Sequence, residues 1–221
     1  SRAPLGIDLD EPATVALDSS LLEAEIIRVG LTANRHQCAI GLDGQCCAII
    51  LRQITGFFQS IGYQVVEGPE VELDKYNFEM LNIPANHPAR DMWDTLYVNP
   101  PEILMRTHTS PMQARVMEGR VAEAQAAGTD PPPVRVIVPG RCYRYEAQDA
   151  THEWMFQQID GLAVDEGISM ADLRGTLTTF ARRMFGSSIR TRFRCDYFPF
   201  VEPGVDFAIS CFRCDGTDTS C

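Results

Sequence analysis

The sequence lacks the features that direct a chain out of the cytoplasm. No apolar run in its 221 residues approaches the length that spans a bilayer. Residues 1–6 have none of the apolar core that a secretory signal peptide needs. The eight cysteines are unevenly spread, in a chain long enough to need no disulfide framework. These absences predict a cytoplasmic protein with reduced cysteines and no membrane partner.

Basic charge is also scarce. The chain has 19 Lys and Arg against 30 Asp and Glu, which gives a net charge of −11. That balance opposes binding of a polyanion by bulk electrostatics, so we expect any contact with RNA to be local or to come from another chain. A hydrophobic content of 45% and a charged content of 22% are typical of a globular domain with a real core.

The most informative stretch is residues 140–162. Four of the five residues 134–138 are β-branched, and residues 142–146 and 156–164 alternate in polarity, which predicts strands. Two antiparallel strands joined by the loop 147–153 would collect five polar side chains on one surface: Arg144, Glu146, His152, Gln158 and Asp160. A guanidinium among carboxylates and amides suits a ligand with phosphate and amine groups. The solvated side of a sheet has the same pattern, so both interpretations stay open here.

Two amphipathic helices are predicted around this stretch. Apolar residues at spacings of three and four indicate a helix over residues 48–61, followed by a strand over residues 63–66. Residues 169–186 indicate a second helix, with a capping box formed by Ser169 and Asp172. Ser110, with Pro111 next and Gln113 closing a capping box, predicts a further helix start.

The remaining segments carry weaker signals. Residues 21–29 suggest a short helix, and the rest of residues 1–45 suggests loop. Residues 74–100 suggest a long ordered loop, in which we expect His87 to fix the backbone by a hydrogen bond.

Several blocks then resemble one known family. Arg144-Tyr145-Glu146 is similar to the Arg-x-Glu of motif 2 in class II aminoacyl-tRNA synthetases. Four longer blocks resemble, in family order, the α subunits of bacterial phenylalanyl-tRNA synthetases. They are HPARDMWDT (87–95), RTHTSPMQ (106–113), DATHE (149–153) and YFPFVEPG (197–204). Together they cover about residues 48–210.

The resemblance implies a fold and an activity. The fold is an α/β (α+β) class II catalytic domain, in which a mainly antiparallel sheet is flanked by helices. The activity is ATP-dependent activation of L-phenylalanine and its transfer to tRNA(Phe), with Mg²⁺ accompanying ATP. The implied partner is the β subunit, in a cytoplasmic α2β2 heterotetramer. The implied division of the chain is an N-terminal segment (1–45) and an incomplete catalytic domain (46–221).

The resemblance also implies roles for individual residues. Arg144, Glu146 and His152 are the implied catalytic, ATP-binding residues. The implied amino-acid site consists of Trp93, His108, Ser110, Gln113, Gln158, Asp160, Phe198 and Phe200. The two phenylalanines form the aromatic walls of the pocket, and Glu202 matches an acid near the site.

Two departures from the family pattern set further expectations. The family has Glu where Asp160 stands. Motif 3, which carries a second ATP-binding arginine, does not follow the final cysteines. We therefore expect this chain to be a C-terminally incomplete piece of a longer protein, and expect the isolated piece not to activate phenylalanine at a normal rate.

The cysteines and two alternative functions complete the predictions. Cys211, Cys214 and Cys221 have the spacing of zinc ligands but supply three of the four that zinc needs. Cys142 and Cys195 lie on predicted strands, and we expect both to be buried. One alternative function is a synthetase-like accessory protein that binds an amino acid or nucleotide without charging tRNA. The other is a zinc-ribbon interaction module on an inert scaffold.

Overall fold

The computed structural model describes residues 13–18, 25–33, 45–92, 94–145, 154–211, 214 and 217. Its strands form a seven-stranded sheet in the order β3-β7-β8-β2-β1-β10-β9 and a three-stranded sheet in the order β4-β6-β5. The larger sheet contains β1 (Ala13–Asp18), β2 (Glu25–Ala33), β3 (Gln64–Val65), β7 (Val134–Tyr143), β8 (Met155–Asp165), β9 (Thr191–Phe198) and β10 (Val201–Ile209). The smaller sheet contains β4 (Val71–Leu73), β5 (Tyr97–Asn99) and β6 (Ile103–Met105).

The larger sheet is mainly antiparallel, as the sequence predicted. Strands β7 and β8 pair over their whole length, from Val134 opposite Val164 to Tyr143 opposite Met155. The pairing of β3 with β7 is parallel. The two strand runs predicted in residues 134–146 form one strand, because antiparallel pairing with β8 continues through Pro139 and Gly140.

Within the described ranges, four α-helices accompany the sheets. They are α1 (Gln45–Ser60), α2 (Asp74–Asn77), α3 (Pro111–Ala127) and α4 (Met170–Phe185), and two short 3-10 helices span Glu79–Leu81 and Pro88–Met92. The helices predicted over residues 48–61 and 169–186 are confirmed as α1 and α4. At the start of α4 the backbone N–H of Ser169 donates to the Asp172 carboxylate at 2.9 Å, as the capping box requires.

The core lies on both faces of the larger sheet. On one face α1 and α4 pack on β7 and β8, through the buried cluster Ile50, Ile54, Phe58, Ile137, Ile159 and Phe180. On the other face α3 covers Val134, Val136 and Leu162. Because side chains alternate along a strand, Gln158 and Asp160 share the face of Leu162 and lie on the α3 side. The candidate site therefore lies on the face opposite α1 and α4.

The N-terminal region differs from the sequence predictions. Residues 25–29, predicted as helix, lie in strand β2, and the loop prediction is wrong at β1. Strand β2 pairs with β1 on one side and with β8 on the other, so backbone hydrogen bonds along both edges outweigh its weak helix signal. The β-branched residues Ile26, Ile27 and Val29 also favour strand over helix.

Residues 74–92 and 94–100 form an ordered segment of short elements, as predicted. The bidentate ion pair between Arg90 and Asp74, with N–O distances of 2.6 and 2.8 Å, connects its two halves. His87 accepts a hydrogen bond from the Ala89 backbone at 3.1 Å, which confirms its predicted loop-fixing role. Among the helices that the structure describes, none has the length and apolar character to cross a membrane.

Candidate active site

The connection between β6 and α3, residues 106–110, forms the floor of the candidate site. Arg106, the first residue of this connection, is only 3% exposed. Its guanidinium donates to the carbonyl of Arg141 at 2.7 Å and to those of Gly68 and Pro69 at 3.2 and 3.3 Å. Three chain segments are thus joined by one buried side chain, which makes this connection rigid.

A polar row on β8 faces this connection. The side-chain oxygen of Gln158 accepts a hydrogen bond from the Thr109 backbone at 3.2 Å. Asp160, which is 3% exposed, accepts one from the Ser110 hydroxyl. The buried thiol of Cys142 lies 3.5 Å from the same Gln158 oxygen. A carboxylate, an amide and a hydroxyl therefore converge at the start of α3.

Arg144 continues this row beyond the end of β7. Its backbone N–H donates to the Trp154 carbonyl at 2.9 Å, so the antiparallel pairing extends one step past Tyr143. Its Nε donates to the Thr107 carbonyl at 3.3 Å, and its guanidinium carbon lies 4.8 Å from the centre of the Phe156 ring. The predicted surface is confirmed for Arg144, Gln158 and Asp160. Glu146 and His152, predicted on the same surface, lie outside the described residues.

The start of α3 confirms one prediction and corrects another. Ser110 occupies the N-cap position and Pro111 the first turn, as predicted. The capping box is wrong, because Ser110 has the backbone angles φ −59° and ψ −23° and its side chain makes no capping hydrogen bond. Its hydroxyl donates to Asp160 instead. Gln113 is 1% exposed, and its side-chain oxygen has no hydrogen-bond partner within the part of the chain that the structure describes.

Aromatic side chains lie at the side of the site. The buried ring of His108 forms a T-shaped pair with Phe78, with centroids 6.4 Å apart and planes at 82°. The sequence suggested that Phe198 and Phe200 lie on one extended segment. The structure shows that they do not. A tight turn at Pro199-Phe200 joins β9 to β10, with Phe198 paired to Val201. Phe200 consequently packs against the cluster of Phe78, Leu81, Ile83, Ala89 and Leu104.

Phe198 lies instead against β10. A Cβ on Gly204 would come within 2.7 Å of its ring, so the glycine makes room for it. Glu202 lies in β10 opposite Asp18. Trp93 lies outside the described residues.

The local environment raises the pKa of two groups near the site, Cys142 and Tyr143. Burial raises the pKa of the Cys142 thiol, and the nearby Asp160 charge adds to that effect, so the thiol stays neutral. Burial and a hydrogen bond donated to Glu70 raise the pKa of Tyr143. Neither group supplies a nucleophile at neutral pH.

The remaining cysteine predictions have separate outcomes. Cys142 is buried as expected, but Cys195 is exposed on β9, the outer strand of the sheet, so its predicted burial is wrong. Cys211 and Cys214 are half-buried, and Cys221 lies outside the described residues. Among the described residues, no group of three or more His, Cys, Asp or Glu side chains could hold a metal ion. Zinc binding by the three cysteines stays a prediction.

Sequence reasoning missed the buried residues that hold the site together. Asn77 and Thr107 are both 0% exposed and exchange two hydrogen bonds, and Arg106 anchors the connection. A single polar side chain carries no local signal of such contacts, because its partners lie tens of residues away in the chain.

Most of the chain matches a known protein family. Residues 34–219 match the family described as tRNA synthetases class II core domain (F). Because the match covers most of the chain, the chain belongs to this family. The predicted class II fold is thereby confirmed.

The relatives narrow the similarity further. The chain is 53% identical to the phenylalanine–tRNA ligase α subunit of Dehalococcoides mccartyi strain CBDB1 over 173 residues, covering 76% of this chain and 47% of that protein. It is 51% identical to that of Roseiflexus castenholzii over 221 residues, covering 92% and 61%. It is 48% identical to that of Desulforamulus reducens over 201 residues, covering 91% and 55%. The predicted resemblance to these α subunits is confirmed, and the chain spans about half the length of the curated relatives it matches.

Solved structures include a more distant similarity. The pyrrolysyl-tRNA synthetase of Desulfitobacterium hafniense is 14% identical, with a TM-score of 0.49, over 67% of this chain and 50% of that one.

Proposed function

We propose that this chain belongs to the α subunit of an enzyme that activates L-phenylalanine with ATP and transfers it to tRNA(Phe). The observation that carries the proposal is the convergence of Arg144, Gln158, Asp160 and Ser110 on one surface. The similarity to phenylalanine–tRNA ligase α subunits at about 50% identity supports this choice of substrate.

The charges of the site suit an amino acid and a nucleotide. A guanidinium provides parallel donors to a phosphate or carboxylate. A buried carboxylate beside a hydroxyl and an amide oxygen provides acceptors for an ammonium group. The side-chain oxygen of Gln113 and the hydroxyl of Thr109 are buried and have no hydrogen-bond partner among the described residues. Buried polar atoms of this kind are rare, so they support a site shaped for a polar ligand.

The proposed chemistry requires no protein nucleophile. The carboxylate oxygen of phenylalanine attacks the α-phosphorus of ATP, an oxygen–phosphorus bond forms, and the bond to pyrophosphate breaks. Arg144 would bridge the α-phosphate and the reacting carboxylate and stabilise the charge that develops between them. Asp160, Gln158 and Ser110 would hold the ammonium group and so fix the attacking oxygen. The hydroxyl of the terminal tRNA ribose then attacks the adenylate carbonyl, an ester bond forms, and the bond to AMP breaks.

Other residues enter through the family resemblance. Glu146 would contact the adenine side of ATP, and His152 would lie near the β- and γ-phosphates. Trp93, His108 and Gln113 would line the amino-acid site near Phe198 and Phe200, with Glu202 close by. Aromatic walls add about 0.5–1.5 kcal/mol per ring pair beyond area burial. An apolar pocket rejects an added hydroxyl by only about a hundredfold, so some tyrosine would be activated.

Cofactors and partners follow from the same proposal. We propose that Mg²⁺ arrives with ATP, since it is bound mainly by substrate phosphates in such sites. The described residues alone do not fit a metal held by the protein, and no step above depends on one. The proposed partners are tRNA(Phe) and the β subunit, in an α2β2 assembly in the cytoplasm. The net charge of −11 favours a partner chain that supplies most of the RNA contacts.

The test is phenylalanine-dependent exchange of labelled pyrophosphate into ATP by the full-length chain with its partner subunit. We expect exchange with phenylalanine, weaker exchange with tyrosine, and loss of exchange in the Arg144→Ala variant. Binding of phenylalanine or ATP without any exchange would contradict the proposal and favour the accessory-protein alternative. We expect the isolated 221-residue chain not to reach the normal rate of exchange.

A further inference from the structure

We infer that Asn77 is a positioning residue for Arg144 and acts through Thr107. The inference rests on the function proposed above, because it assigns Asn77 a part in phenylalanine activation. Thr107 contacts both residues, and this shared contact is the route by which Asn77 acts on Arg144.

The first link is a two-point contact between side chain and backbone. Asn77 is the last residue of α2 and is 0% exposed. Its Nδ2 donates to the Thr107 hydroxyl at 2.9 Å, and its Oδ1 accepts from the Thr107 backbone N–H at 3.2 Å. One amide thus fixes both the backbone and the side chain of Thr107, 30 residues away.

The second link runs from Thr107 to the arginine. The Thr107 carbonyl accepts a hydrogen bond from Arg144 Nε at 3.3 Å. A hydrogen bond donated by Nε restrains the plane of the guanidinium, because the group is flat. The direction of the Thr107 carbonyl therefore helps to set which way Arg144 faces.

The base of this chain of contacts is rigid. Helix α2 begins at Asp74, whose carboxylate binds Arg90 in a bidentate pair with both side chains about 15% exposed. The Asp74 backbone N–H donates to the Glu102 carbonyl at 2.8 Å. Phe78, the residue after Asn77, contacts the ring of His108, the residue after Thr107. These contacts hold the segment that contains Asn77 in place.

Positioning of this kind has a large effect on rate. A displacement of about 1 Å in a reacting group costs on the order of a hundredfold in rate. Loss of the Asn77 amide frees Thr107 from both contacts, so we expect a lower kcat with a smaller change in the KM for ATP. A purely structural role would instead lower the amount of folded enzyme and leave kcat per active site unchanged.

The experiment measures pyrophosphate exchange by the full-length assembly, with active sites counted by a burst of adenylate formation. The variants are Asn77→Ala, Thr107→Val, which keeps the volume but removes the hydroxyl, and Thr107→Ser, which keeps the hydroxyl. Arg144→Lys, alone and combined with Asn77→Ala, shows whether the two positions act together. Phe180→Leu, in the core on the opposite face of the sheet, is the control for lowered stability.

The expected result is a fall in kcat per active site on the order of a hundredfold for Asn77→Ala. The Thr107→Val variant should also have a lower kcat per active site, and the Thr107→Ser variant should retain activity. In the Arg144→Lys background, Asn77→Ala should cause no further loss. Phe180→Leu should lower Tm without changing kcat per site. If Asn77→Ala fails to fold, Thr107→Val carries the test.

Two results would overturn the inference alone. One is wild-type kcat per active site in both Asn77→Ala and Thr107→Val. The other is an equal loss from Asn77→Ala with Arg144 present or replaced, which would show an effect independent of the arginine. Absence of exchange by the wild-type assembly would overturn the proposed function as well, so the two failures are distinguishable.

Discussion

The ion pair between Glu72 and Arg115 joins the smaller sheet to helix α3 and gives a sharp stability prediction. The Arg115 Nε and Nη2 atoms lie 2.9 and 2.5 Å from the two carboxylate oxygens. The Glu72 side chain is 1% exposed, whereas that of Arg115 is 31% exposed. The guanidinium also lies 3.9 Å from the centre of the Tyr76 ring. Substitution of Arg115 by Met would leave a carboxylate buried without its cation.

The size of the effect follows from burial. Removing one partner of a buried pair costs about 3–5 kcal/mol. Glu72 would keep the hydrogen bond from the Leu73 backbone at 2.7 Å, and Arg115 is partly solvated. We therefore expect a loss of about 3 kcal/mol, at the low end of that range. Lys75→Met is the matched control, because the Lys75–Glu118 pair is 53% and 43% exposed and should cost less than about 1 kcal/mol.

The assay is urea unfolding of the chain and its variants, with the free energy of unfolding extrapolated to water. In a Glu72→Gln background, Arg115→Met should cost clearly less, because no buried charge is left behind. An Arg115→Met variant that loses no more stability than Lys75→Met would refute the argument that burial of Glu72 sets the cost.

Three further predictions concern packing, reactivity and pH. A Cβ at Gly140 would lie 2.1 Å from the Arg106 guanidinium, so Gly140→Ala should cost about 1–3 kcal/mol in urea unfolding, and wild-type stability would contradict this. Iodoacetamide should label exposed Cys195 in the native protein and Cys142 only after unfolding, because burial raises the pKa of the Cys142 thiol; equal native labelling in mass spectrometry would be the contrary result. Burial and its hydrogen bond raise the pKa of Tyr143, so the stability it contributes is present below the unfolded tyrosine pKa of about 10 and is lost as pH rises through the folded value. Tyr143→Phe should reduce the fall in unfolding free energy above about pH 10, and an unchanged pH profile would argue against this.

The periodicity of apolar residues predicted those elements whose signals all lie within one stretch of the sequence. Helix α4 has a capping box, an apolar stripe and a closing glycine within one stretch of sequence, and all three occur in the structure. Strand β7 was predicted from its β-branched run, and β8 from its alternation in polarity. Strand β2 was misread because its pattern supports either state, and pairing with β1 and β8 decides between them.

The candidate site was predicted unevenly for a related reason. Arg144, Gln158 and Asp160 were found because alternation along strands places them on one face. Asn77, Thr107 and the contacts that join them were missed because they depend on tertiary contact alone. The hairpin at Pro199-Phe200 was missed because Phe198 and Phe200 also fit an extended segment.

Ser110 shows where local rules yield to the site. Its sequence context predicts a capping box, yet its hydroxyl donates to Asp160, which lies 50 residues away on β8. Gln113, the expected partner in that box, keeps a buried side-chain oxygen with no hydrogen-bond partner among the described residues, and so does the hydroxyl of Thr109. One missing capping hydrogen bond and two buried oxygens without a partner among the described residues thus occur within five consecutive residues. Natural proteins depart from such rules mainly at functional sites, where the cost is offset elsewhere. We therefore expect the proposed ligand, more than the helix itself, to account for the arrangement at the start of α3.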